Sequence, residues 1–168
     1  TSMGLLTAGG SVDPKEEWNQ NSKKYINAAL TKAIAAKSYA TQSVDPAAYE
    51  GSRDLQILKL NDAVTSAIVY NTYVKLPTKA SFDWTLGKGA AELRPDDAAA
   101  PAAYVLFVQA RGNYSSGGRV ALGVLMAAAT MGAAGGAQMA GGSQTMSATL
   151  VDLNTGQVVY YKTACCTG

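Results

Sequence analysis

Apolar and polar positions alternate most clearly near the end of the chain. Met146, Ala148 and Leu150 interleave with Ser147, Thr149 and Val151, and after Asp152–Gly156 the run Gln157–Thr163 resumes with Val158 and Tyr160 on one side and Val159 and Tyr161 on the other. Period-two runs around a short loop with a glycine predict an antiparallel β-hairpin, with Gly156 at the positive-φ position. Tyr104–Ala110 is apolar on both faces and predicts a central strand covered on both sides, left by a flexible loop over Arg111–Arg119.

Helical spacing governs the first half. From Asp13-Pro14, read as cap and first helical residue, Trp18, Tyr25, Ala29, Ala33 and Ala36, flanked by Ile26, Leu30 and Ile34, recur at intervals of three and four until about Lys37. This predicts a surface helix laid on a core. A second helix is predicted from Ser52 to about Tyr70, with Ile57, Leu60, Val64, Ala67 and Ile68 on one face, and a short one over Gly87–Arg94, ended by Pro95. Ser38–Val44 alternates like a short strand, and Asp45-Pro46 opens a turn of helix through Tyr49. In the connector Lys75–Leu86, Phe82 and Trp84 are the expected anchors, and Asp96–Ala102 is a surface link.

The expected fold is therefore α/β: a mixed sheet with helices packed on it, ending in an antiparallel hairpin, with a Gly/Ala-rich insertion before the hairpin. Residues 1–12 are expected as a flexible arm and residues 13–168 as one domain, with the apolar insertion at 119–144. At 168 residues the chain is long enough for a core of its own.

The insertion, Val120–Gln144, has no charged side chain. Gly, Ala and Ser dominate it, and the more helical part that begins at Arg119 is shorter than the roughly 20 apolar residues that span a bilayer. Gly132, Gly136 and Ala140 have the small-residue spacing that lets helices approach closely in lipid. Arg119, Leu122, Leu125, Met126, Met131 and Met139 form the candidate interaction segment. It is read as a cover for the domain, a surface for lipid or a partner, or a loop.

Charge narrows the functional classes. The 14 Lys and Arg nearly balance 12 Asp and Glu without forming a basic stripe, so no nucleic-acid partner is expected. No His is present, which removes the usual general base, the commonest metal ligand and every Ser–His or Cys–His pair. Ser115 and Ser116 near Arg119 read as a polar turn. Asp96 and Asp97 belong to the link, and Asp152 to its own turn. GAAGGAQMAGGSQT has glycines but no Lys for a phosphate loop. Neighbouring Cys165 and Cys166 suit a strained disulfide, a soft-metal pair completed from outside, or reduced thiols. No catalytic residue, cofactor or metal site is expected, and the protein is read as not an enzyme.

Three phrases, KLPTKASFDWTLGKGAAELR (Lys75–Arg94), AYVLFVQARGNYSSGGRVAL (Ala103–Leu122) and SATLVDLNTGQVVYY (Ser147–Tyr161), resemble poorly characterised proteobacterial envelope proteins, often lipoproteins. Their domain is similar to the amino-terminal domain of TolB and to auxiliary lipoproteins of envelope transport systems. The resemblance implies helices against a mixed sheet, a periplasmic address with outer-membrane anchoring through a lipid on an upstream Cys, and no enzymatic activity. The expected function is a protein-binding or assembly domain, with an envelope protein or a second copy as partner and membrane contact through the insertion or the lipid. A membrane-active or pore-forming subunit inserting through residues 120–142, as in the similar curli-secretion lipoproteins, is the alternative.

Overall fold

A computed structural model describes residues 1–75, 77, 79–94, 101–121 and 142–167. The fold is mixed α/β. In chain order it comprises β1 (Ser2–Leu6), β2 (Val12–Pro14), α1 (Glu16–Ala35), a 3-10 turn Pro46–Tyr49, α2 (Asp54–Val74), a second 3-10 segment Lys88–Leu93, β3 (Tyr104–Ser115), β4 (Gly142–Asp152) and β5 (Val158–Thr167). The sheet order is β2-β1-β3-β4-β5, with β1 parallel to β3 and antiparallel to β2. The chain groups into two compact units, Thr1–Thr41 with Gln109–Ser147 and Thr163–Gly168, and Gln42–Val108 with Ala148–Lys162.

In the first unit, residues 1–12 are not an arm. Ser2–Leu6 pairs in register with Arg111–Ser115, so β1 enters the sheet and the expected loop after Ala110 becomes five more residues of β3. Backbone pairing with a distant segment decides both elements, and neither carries a local signal of its own. Lys15 N–H donates to the Met3 carbonyl at 3.0 Å, which extends this ladder and keeps Asp13 and Pro14 in β2. Helix α1 therefore starts at Glu16, and the acidic first turn favours its N-terminus.

Helix α1 forms where its spacing predicts, yet none of its side chains is fully buried. Trp18, Ser22, Ile26, Leu30 and Ile34 make the half-buried row, and Trp18 meets Tyr114 edge-to-face at 5.6 Å. Tyr25 is 71% exposed, and Ala29 and Ala33 beside it are exposed too. The contact row thus follows the flanking residues, one position round the helix from the expected stripe.

The strand expected at Ser38–Val44 does not form. The N–H groups of Lys37 and Ser38 bond back to Ile34 and Ala35, Ser38 takes a φ of 59°, and no described segment pairs with residues 39–44.

The second unit holds the core. Ile57 and Ile68 of α2, Leu86, Ala90, Leu93, Val151, Leu153 and Val158 form one buried cluster, with Val105, Phe107, Trp84 and Tyr161 partly buried against it. Of the expected row on α2, Ile57 and Ile68 are buried and Val64 packs against the core, while Leu60 is exposed and Asn61 and Thr65 are buried in addition. Thr65 faces Thr149 of β4, so polar residues share the inner row with apolar ones. Strand β3 is central in the order but covered less than expected: Val105 and Phe107 turn to the core, while Tyr104 and Leu106 are exposed.

Two local signals are met closely. Asp45 Oδ1 accepts the Ala47 N–H at 3.0 Å ahead of Pro46–Tyr49. In the hairpin loop Gly156 has a φ of 74°, and a Cβ there would run into the backbone of Gly87.

Candidate protein-binding edge

Strand β5 is the last strand of the sheet, with β4 on one side of it. Asp152 N–H donates to the Gln157 carbonyl at 2.9 Å, so Gln157 faces β4. On the other side, Val158 N–H donates to Trp84 O at 2.9 Å and Leu86 N–H donates to Gly156 O at 2.8 Å. Thr85 and Gln157 form an antiparallel bridge there. Successive residues of an antiparallel strand direct their backbone groups to alternate sides. Val159 and Tyr161 therefore face β4, and Tyr160 and Lys162 direct N–H and C=O outward.

Trp84–Leu86 covers the edge only as far as Val158. Trp84 packs against the core, as expected, while Phe82 is exposed. Lys79 sits 4.5 Å from the Trp84 ring centroid and pairs with Asp83, whose carboxyl the Lys79 ammonium holds below the usual carboxylate range. Among the described residues nothing pairs with β5 at Tyr160 or Lys162. Both side chains are exposed, Tyr160 at 49%.

The loop that sets β5 is held by Asp152. Its Oδ1 accepts the Asn154 N–H at 2.8 Å and its Oδ2 accepts the Thr155 hydroxyl at 3.1 Å, and the Asn154 backbone bond first, with the hydroxyl, lowers its pKa. Arg94 braces the loop by donating to Asn154 Oδ1 at 2.5 Å and to the Ala102 carbonyl at 3.2 Å.

Of the candidate interaction segment, Leu122, Leu125, Met126, Met131 and Met139 lie outside the described residues. Arg119 is half-buried in a helical turn over residues 117–121, where its N–H donates to Ser116 Oγ at 3.2 Å. Ser116 thus caps a turn. The backbone of Cys165 and Cys166 continues β5.

Elsewhere, an open cleft of about 280 Å³ in the first unit is lined by Ser2, Arg111, Asn113, Ser143 and Thr145. A smaller one of about 180 Å³ in the second lies between Arg53, Ile57, Leu60, Leu86 and Glu92. Among the described residues no cluster of His, Cys, Asp or Glu is arranged to hold a metal, and no helix is long and apolar enough to cross a membrane.

No protein-family model, curated protein or solved structure matches the chain. The outward backbone of Tyr160 and Lys162 is a feature sequence analysis did not locate. The alternation of VVYYK marks the strand, but only the three-residue cover by Trp84–Leu86 fixes where the edge opens.

Proposed function

We propose that this chain is a non-enzymatic periplasmic domain of an envelope lipoprotein, and that it binds another protein along the free side of β5. The observation that carries the reading is the outward backbone of Tyr160 and Lys162, which pairs with none of the described residues, beside an edge that already takes Trp84–Leu86 in an antiparallel bridge. Strand addition draws its affinity from such main-chain bonds, each worth about 0.5–1.5 kcal/mol net. Two outward residues offer few of them, which suits an assembly contact rather than a permanent one.

The address and the absence of catalysis are supported by the resemblance of Lys75–Arg94, Ala103–Leu122 and Ser147–Tyr161 to envelope lipoproteins, and by a sequence without His. Fractionation of the producing cells followed by amine-reactive crosslinking tests the reading. The chain is expected in the envelope fraction, in an adduct heavier than itself. A chain found in the cytosol, or one that forms no adduct, contradicts it.

A further inference from the structure

The open edge also constrains what can occupy it. Building on the protein-binding reading above, we infer that the partner of β5 is a short extended segment of a different chain, running antiparallel to β5 and carrying Asp or Glu opposite Lys162.

Direction comes from the bridge already in place. Trp84–Leu86 runs antiparallel along β5, and among the described residues no backbone bond of 79–83 continues that pairing. An incoming antiparallel strand continues that ladder beyond Trp84, with the outward N–H and C=O groups of Tyr160 and Lys162 as its bonding partners.

Charge comes from β5 itself. In VVYYKTACCT, Lys162 is the sole Lys, Arg, Asp or Glu. It is exposed and has no ion pair among the described residues. A lone lysine on an edge strand also discourages indiscriminate pairing. An opposing carboxylate, about 5 Å away between Cβ atoms, turns that same charge into a selector.

A second copy's β5 has no Asp or Glu to set opposite Lys162. Trp84 already bonds to Val158, so the occupant ends or turns opposite Tyr160.

The test is a chemical-shift titration of the full chain with two synthetic peptides, Thr-Val-Glu-Thr-Val and Thr-Val-Lys-Thr-Val. The Glu peptide is expected to shift the Tyr160 and Lys162 amides and to bind about 10-fold more tightly than the Lys peptide, an attractive pair replacing a repulsive one. K162E should reverse the preference. Y160P should abolish binding of both, and because the Tyr160 N–H makes no bond to β4, the fold should tolerate proline there. Equal affinities, an unchanged preference in K162E, or no binding by either peptide overturns the inference. If the envelope adduct persists in K162E and Y160P while the peptides fail, partner binding stands but its placement on β5 fails; if the wild-type chain forms no adduct, partner binding fails as well.

Discussion

The hydroxyls of Thr65 on α2 and Thr149 on β4 lie 3.2 Å apart inside the second unit, a buried hydrogen bond between helix and sheet. Thr149 is 1% exposed and Thr65 4%, so neither hydroxyl can turn to water if the other is lost. The bond fixes the rotation of α2 against β4 and explains why the inner face of the helix carries Thr65 between Ile57 and Ile68.

Replacing either threonine by the near-isosteric valine should cost about 1–3 kcal/mol, because the remaining hydroxyl keeps its desolvation penalty without a partner. The double replacement should recover most of that loss. Denaturant unfolding of the two single variants and the double variant gives the coupling energy directly; additive losses would show that the hydroxyls do not depend on each other.

Burial differs sharply between two leucines, and stability should follow it. Leu153 is 1% exposed in the core cluster, whereas Leu30 of α1 is only half-buried. Leu153→Ala should cost about 2–5 kcal/mol, and Leu30→Ala about 1 kcal/mol, since it removes less apolar surface and leaves no sealed cavity. Urea midpoints at unchanged slope would check the ranking, and equal losses would mean that α1 is packed as tightly as the core.

Acid should loosen the hairpin loop through Asp152. Its pKa is lowered in the folded state by the Asn154 N–H and then the Thr155 hydroxyl, so the folded chain holds this proton less readily than the unfolded one. The resulting stability is complete above the ordinary carboxylate pKa of about 4 and is lost as pH falls through the lower folded value. Thermal melts of the wild-type chain from neutral to strongly acidic pH should decline below about pH 4, and Asp152→Asn should flatten part of that decline. An identical acid limb in the variant would remove Asp152 as a contributor.

Local chemistry was legible wherever it decides the outcome alone. Gly156 in its loop, Asp45 ahead of Pro46, and the strand through Val158–Tyr161 all stand where the sequence puts them. What long-range pairing decides was not legible: TSMGLLT resembles an arm until Arg111–Ser115 lies beside it, and Ser38–Val44 alternates like a strand but no described segment pairs with it. The polar part of the inner face of α2 was missed for a third reason. Asn61 and Thr65 are buried polar residues, and an apolar stripe cannot reveal them. The open edge combines local and long-range information, since β5 is visible in sequence and its partial cover by Trp84–Leu86 is not.

Amide hydrogen exchange along β5 of the free chain, resolved residue by residue, tests the open edge most directly. Tyr160 and Lys162 should exchange rapidly while Val158, bonded to Trp84, and Val159 and Tyr161, facing β4, stay protected. Tyr160 and Lys162 protected to the same degree as Val159 would mean that the edge is already occupied, and the proposed binding site would be contradicted.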